Sequence, residues 1–452
     1  MGRIFKSDNI LKWAVTSVAV FMSASAACGA SLSFEGTRVI AVNADASSGL
    51  DKIYVVENAA TATASYPSAS AKWSSWGASG AAYGQSVATT TDGANSLWLL
   101  PAAEGIGVTV EDSGRMYHFW IVNYADHHVD FNALSVDPED SDCRSMYLDV
   151  EPLSSSANYA INYYTINGAP RQLDRGYILS YNTLTYNDNT KLYDVTTTAT
   201  DLDALKSRIR VDKPLCDTRF TLTGDRFARE WGFGTTAESD SYATDAVEAS
   251  TYAEKAEHDY DNEQADGNSG LGGSAPVDIT FVAAVTDAAR FTEWQLSSSP
   301  DFTTYELRFN QTEVSYTFTD YGTWYMRFQA SNADGTCDYF SPTYEIQIGE
   351  SRLLCPNAFS PHTADGVNDE WKVSYKSIVD FECHIFNRWG IKVATLTHPS
   401  QGWDGKYNGK LVPAGVYYYV IKARGADGHK YDLSGDINII EYNRSKGQSV
   451  TE

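Results

Sequence analysis

Positive charge is scarce in this chain of 452 residues: 34 Lys and Arg stand against 58 Asp and Glu, a formal net charge of -24. A nucleic-acid partner needs a basic footprint, so that class of ligand is excluded. A strongly acidic chain stays soluble and repels anionic surfaces. Cysteine is also sparse, six residues in all, which excludes a disulfide-dense scaffold. No CxxC or clustered His/Cys spacing supports a metal site, and no cofactor is expected. Beyond the N-terminus no apolar run approaches the roughly 20 residues that a spanning helix needs, so no membrane span is expected. Catalytic signatures are missing too. There is no Gly-x-Ser-x-Gly elbow, His-Glu-x-x-His helix, phosphate-binding glycine loop or dinucleotide fingerprint. Paired glycosidase carboxylates leave no trace in sequence, but a string of small domains leaves little room for a large enzyme.

What is abundant points one way. Tyr is frequent, at 29 residues, Met is scarce at 5, and Ser, Thr and Gly are plentiful, the composition of an all-β secreted protein. Length alone suggests about three or four domains. At the N-terminus Arg3, Lys6 and Lys12 precede a short apolar stretch, Trp13 to Met22, and Ala24-Ser25-Ala26 fits a cleavage site, so residues 1–26 read as a signal peptide. Cys28 offers a rival, lipidated reading, but Ser25-Ala26-Ala27-Cys28 lacks the aliphatic residue of a full lipobox.

Two sandwiches are expected next, over 31–135 and 136–235. In the first, Arg38–Val42, Lys52–Val56, Ile106–Val110 and Tyr117–Val122 read as strands. In the second, Arg144–Val150, Ile178–Tyr181 and Ile209–Val211 do, Phe220–Asp225 closes it, and a helical turn fits between Asp201 and Arg208. Residues 236–274 read as an acidic linker ending in Asn268-Ser269-Gly270-Leu271-Gly272-Gly273, with ten acidic residues and one Lys between Glu238 and Asp266. A short helix over Thr244–Glu257 and calcium binding are the sharper readings of this stretch; no Asp-x-Asp-x-Asp-Gly loop is present. Residues 275–350 read as a further sandwich, with Val277–Phe281 and Phe291–Leu296 as strands and Trp294 as its central Trp. Tyr321-Gly322-Thr323-Trp324-Tyr325-Met326-Arg327-Phe328, followed by Ala330-Ser331-Asn332, resembles the penultimate strand of PKD-like, immunoglobulin-like repeats.

The C-terminal region, 351–443 before a polar tail at 444–452, is a series of short strands divided by tight turns. Asn387-Arg388-Trp389-Gly390, Gly402-Trp403-Asp404-Gly405 and Pro413-Ala414-Gly415 supply the turns, and Val416-Tyr417-Tyr418-Tyr419-Val420-Ile421 is an apolar strand. With Pro356-Asn357-Ala358-Phe359-Ser360-Pro361 and Asp365-Gly366-Val367-Asn368-Asp369, these motifs resemble the gliding-motility-associated C-terminal domain, the type B sorting domain of the Bacteroidetes type IX secretion system. The family's Asn-Gly-Asp-Gly is replaced here by His362-Thr363-Ala364-Asp365-Gly366. The resemblance implies a β-sandwich, and a contact with the type IX secretion machinery. It implies passage through the periplasm and outer membrane, then release or surface attachment.

The fold class expected is therefore all-β: tandem immunoglobulin-like sandwiches ending in a sandwich sorting domain. Trp73, Trp76 and Trp98 lie among Ser, Gly and Ala, and read either as exposed platforms for a sugar or protein ligand or as core residues of the first sandwich. Cys143 and Cys216 are the candidate disulfide; Cys337, Cys355 and Cys383 compete for a second bridge whose pairing stays open. Asp126-His127-His128 with Asp130 is the one dense His/Asp site, but adjacent strand residues face opposite ways. Asp137-Pro138-Glu139-Asp140-Ser141-Asp142 is a second acidic cluster, read as a solvated loop. The function expected is a non-catalytic adhesion or structural module at the surface. A glycan-binding accessory protein for polysaccharide capture and a secreted hydrolase are the alternatives, so glycans and surface proteins join the secretion machinery as candidate partners.

Overall fold

Strands dominate the structure, a computed structural model that describes residues 30–137, 139, 141–264, 270–361 and 366–440. The signal-peptide segment, Cys28, Asp140, Asp365 and the polar tail lie outside the described residues. Within them the strands build four β-sandwiches in series.

In the first, a sheet of Ser33–Glu35, Thr63–Tyr66, Asn95–Leu99 and Thr90–Asp92 faces a sheet ordered Val39–Val42, Lys52–Val56, Arg115–Asn123, Gly105–Asp112, Lys72–Trp76 and Gln85–Ser86. Tyr54, Val56, Phe119 and Ile121 fill the core between them. Because strand side chains alternate, Ile53, Val55, Trp120 and Val122 point the other way. That face is buried as well, against Ile161, Tyr163, Leu173, Phe227 and Trp231 of the following sandwich. A sheet covered on both faces explains why Ile53-Tyr54-Val55-Val56 and Phe119-Trp120-Ile121-Val122 are unbroken apolar runs.

The second sandwich packs Ala133–Asp137, Ser145–Glu151 and Arg208–Asp212 against Leu192–Leu202, Tyr177–Asn187, Thr221–Thr223 and Thr236–Glu238. No helical turn forms between Asp201 and Arg208. The one α-helix among the described residues is Arg226–Trp231. Asp225 caps it, its side chain accepting from the Ala228 amide, and Gly232 ends it at φ 82°.

The acidic segment is not a free linker. Thr236–Glu238 is an edge strand of the second sandwich. Ala249–Lys255 is a strand rather than a helix, and pairs along its whole length with Val277–Val285. It belongs to the third sandwich, where Val277–Val285 and Glu313–Phe318 complete one sheet. The other sheet is ordered Leu271–Gly273, Tyr344–Ile348, Gly322–Ser331, Phe291–Ser297 and Leu307–Phe309, with Asp338–Phe340 beside the end of Gly322–Ser331. Trp294 is fully buried at the centre, as expected, and its indole N–H donates to the Thr312 carbonyl at 3.1 Å.

The fourth sandwich is built on Ala358–Phe359, Lys430–Ile439, Gly415–Gly425, Ile378–Phe386 and Lys392–Leu396. Trp371 is its largest fully buried side chain. Residues of the acidic segment dock on it: the Asn262 amide donates to the Val373 and Pro399 carbonyls, and Lys372 meets Asp261 at 3.0 Å.

The disulfide joins Cys143 to Cys337, not to Cys216. It fastens the second sandwich to the third, across 194 residues of sequence. Cys216 is a half-buried free thiol, and Cys355 and Cys383 are also free.

Candidate functional site

The terminal sandwich divides its motif residues into two groups. One group is scaffold. Phe359, Trp403 and Tyr417 are buried, with ring centroids 5.4 Å and 5.2 Å from Trp403. The Trp403 indole donates to the Lys406 carbonyl, and the Tyr417 hydroxyl to the Pro413 carbonyl. Gly405 sits at φ 71°, where an added Cβ would lie 2.7 Å from Pro361. Asp404 accepts from the Lys406 amide and pairs with its ammonium at 2.7 Å, which holds the Asp404 carboxyl below the usual range. The Pro356 carbonyl accepts from the Trp371 indole, and that of Asn357 from the Asn438 amide. Gly366 donates to the Asp369 carboxylate, Asn368 takes a left-handed φ of 55°, and Gly415 lies at φ 146°.

The other group is displayed. The Asn387 side chain accepts from the Trp389 and Ile391 amides, both at 3.0 Å, and Gly390 takes φ 76°. This fixes a turn with Trp389 at its tip, 70% exposed. The Arg388 guanidinium lies 4.2 Å from its ring centroid. Phe386, which leads into the turn, pairs with Tyr418, and from there Val416, Tyr418 and Val420 alternate outward along their strand. Ile391, at the far side of the turn, is exposed as well.

The three tryptophans of the first sandwich do not form a platform. Trp73, Trp76 and Trp98 are 3%, 4% and 8% exposed. Trp73 donates to the Ser96 hydroxyl at 2.9 Å and packs on Trp98, and Trp76 donates to Thr109 at 3.2 Å. Their small neighbours make room for the rings: a Cβ on Gly107 would meet the Trp76 indole at 2.2 Å. These residues are core, and the ligand reading of them falls.

His127 and His128 diverge. His127 is buried, which lowers its basicity, with its imidazole 3.6 Å from Glu104. His128 pairs with Asp130 at 2.9 Å and packs on Phe233. Among the described residues no group of three His, Cys, Asp or Glu side chains is placed to hold a metal ion. Nor is any helix there long and apolar enough to cross a membrane.

Sequence reasoning missed one polar centre. Arg175 and Asp225 form an ion pair with both side chains 1% exposed. Arg175 also donates to the His127 and Tyr159 carbonyls at 2.8 Å, and the Tyr124 hydroxyl lies 3.0 Å from both Asp225 oxygens. Burial, then the Asp225 charge, pushes the Tyr124 phenol well up, so it stays a donor. The centre pairs the charges it contains and ties the helix cap to the first sandwich. Its only signal was the isolated Arg175, whose partner lies 50 residues away.

Comparison with known proteins adds two family matches. Residues 353–439 match the CHU_C type IX secretion signal domain, and residues 135–239 match a fibronectin type III domain. Solved structures similar to the chain include a tetra-tandem repeat from the extending region of a large adhesion protein. It is 11% identical, with 85% of this chain and 97% of that one covered and a TM-score of 0.21. The FN1–FN3 domains of chicken CNTN1 are 10% identical, with 69% and 98% covered and a TM-score of 0.23. Fibronectin(III)-like modules of Clostridium thermocellum CbhA are 11% identical, with 42% and 98% covered and a TM-score of 0.17. Among curated proteins none matches. The terminal sandwich is thus a type IX secretion signal domain, and it directs the chain across the outer membrane, to the cell surface or the medium.

Proposed function

We propose that this chain is a non-catalytic adhesive rod, carried to the cell surface by its terminal domain. The observation that carries the reading is the stitching between successive sandwiches. The first and second share a hydrophobic cluster and the Arg175–Asp225 pair. The second and third are joined covalently through Cys143 and Cys337. The third and fourth are joined by hydrogen bonds, the Tyr321 amide donating to the Ala426 carbonyl and the Ala275 amide to the Ser377 hydroxyl. Inter-domain contacts within a chain ordinarily allow relative motion. Joints fixed in this way suit a part that transmits force and holds its outer end away from the membrane.

The secretion machinery, in the same reading, docks on the Arg388–Trp389 turn and the stripe of Val416, Tyr418 and Val420. A tryptophan held exposed by a preorganised turn contributes nothing to the core, and Trp and Arg are the residues that dominate protein contacts. Trp389→Ala should leave the domain folded and the chain trapped in the periplasm. Normal delivery of that variant to the surface would remove this docking face.

Deleting the gene in the producing strain tests the adhesive reading. Attachment of cells to surfaces and to one another should fall, and should return with the intact gene. Unchanged attachment, or turnover of a polysaccharide or peptide substrate by the purified chain, would overturn it.

A further inference from the structure

The outer face of the third sandwich carries a groove of about 390 Å³ lined by Arg290, Phe291, Thr292, Glu293, Gln329 and Ser331, with Asn310 at its edge. Its floor follows from strand register. Phe291 stands opposite Ser331, and Glu293 opposite Gln329, so these four share one face. Across the next strand Gln329 stands opposite Phe340.

Two features set this floor apart from an ordinary solvated sheet. First, its polar groups are fixed by a buried neighbour on the same face. Gln295, 2% exposed, donates through one amide nitrogen to Glu293 Oε1 at 2.7 Å and to Gln329 Oε1 at 2.8 Å. Its own oxygen accepts from Arg327 Nε at 2.8 Å. Arg308 Nε also lies 3.7 Å from Glu293 Oε1. The second Glu293 oxygen and the Gln329 amide nitrogen, on residues opposite each other in register, have no protein hydrogen-bond partner among the described residues. An acceptor next to a donor is the pattern that neighbouring sugar hydroxyls satisfy. Second, apolar rings are exposed on both sides. Phe291 is 62% exposed and Phe340 45%. Phe291 makes no ring contact among the described residues, while Arg327 lies over Phe340 at 4.8 Å. Strand spacing puts the two rings' backbones about 12 Å apart, two strands across and two residues along.

We propose that this groove is a binding site for a neutral polysaccharide. The exposed rings take the apolar faces of two sugar units, and Glu293 and Gln329 engage the hydroxyls between them. A neutral chain is favoured over an anionic one because Arg308, 3.7 Å from Glu293, and Glu293 offset each other in the floor, and the protein as a whole carries a net charge of -24 that opposes an anionic polymer. The proposal rests on the adhesive reading and gives it a ligand class and a site.

The test is affinity electrophoresis of the full mature chain through gels containing β-glucan, xylan or mannan, with alginate as the anionic control. At least one neutral polymer should retard it and alginate should not. Phe291→Ala and Glu293→Gln should each weaken retardation at least ten-fold with an unchanged melting temperature, since neither side chain is core. Lack of retardation by all three neutral polymers, retardation by alginate equal to theirs, or full retardation of both variants would overturn the proposal. Attachment assays separate the two readings. If gene deletion abolishes attachment but the Phe291→Ala strain attaches normally, the groove falls and the adhesive reading stands. If the groove binds a glycan but deletion leaves attachment intact, the groove stands and the adhesive reading falls.

Discussion

Cutting the Cys143–Cys337 link should loosen one joint and leave the sandwiches themselves intact. Beyond the connecting chain, the strand Leu192–Leu202 of the second sandwich touches Val277–Val285 of the third, with Tyr193 near Tyr339. Lys191 lies over the Tyr252 ring at 5.4 Å, and Lys213, itself buried, pairs with Asp245 of the connection at 2.5 Å. An exposed cation–ring contact contributes only about 0.5–1 kcal/mol. The disulfide closes a loop with a sequence separation of 194 residues. Chain-entropy arithmetic gives about 5 kcal/mol for a loop of that size, an upper bound because a denatured chain keeps some structure. For a unit of 150–250 residues, each kcal/mol moves the midpoint by roughly 2–4 °C. Cys337→Ser, or reductant on the native chain, should therefore lower one calorimetric transition by about 10 °C. Small-angle scattering should show a wider range of shapes, and proteolysis should cut first between residues 239 and 248. Thiol titration of the denatured, unreduced chain from residue 31 should find Cys216, Cys355 and Cys383 alone. A reactive Cys143 or Cys337 in that titration, or a transition that moves by less than about 1 °C on reduction, would refute the reasoning.

Three further outcomes follow from buried or bonded groups. Trp76→Ala removes a ring packed edge-on to Trp120 at 5.3 Å, and should destabilise the shared cluster of the first and second sandwiches by about 3–5 kcal/mol in a denaturant melt without changing glycan retention. Arg175→Met leaves Asp225 buried and unpaired, so it should destabilise the chain by about 3–5 kcal/mol, whereas Arg175→Met with Asp225→Asn should recover part of that loss. The Asp427 carboxyl titrates below its ordinary range: burial works to raise it, but hydrogen bonds from the His429 and Ser351 amides outweigh burial. A depressed folded value means stabilisation that is complete above the unfolded carboxylate value of about 3.9 and is lost as pH falls through the folded one. Acid titration of the melting temperature should therefore fall less steeply below about pH 4 in Asp427→Asn than in the parent.

How far the sequence could be read depended on whether the deciding contact was local. Turns are local, and the C-terminal motifs announced theirs: Asn387 caps its own turn two and four residues on, and Gly390 and Gly405 take the positive φ their type permits. Trp294 was legible because Thr292, Trp294 and Leu296 alternate with polar neighbours on a strand of period two. Other features depended on distant partners. Cys143 chose Cys337 over Cys216, and no spacing rule connects residues 194 apart. The small residues around Trp73 and Trp76 looked like a thin surface setting, yet Ser96 and Thr109 are hydrogen-bond partners and Gly107 is clearance for a ring. The acidic stretch misled through its charge. Ala249 faces the core while Glu254 and Lys255 are exposed, so composition averaged over the segment hid a strand whose partner lies about thirty residues on. The same reasoning applies to the groove. Phe291, Glu293 and Gln295 read on their own as the outward half of an alternating strand. They become a candidate site only when Gly322–Ser331 and Asp338–Phe340 set Gln329, Ser331 and Phe340 beside them, a juxtaposition made by register and invisible along the chain.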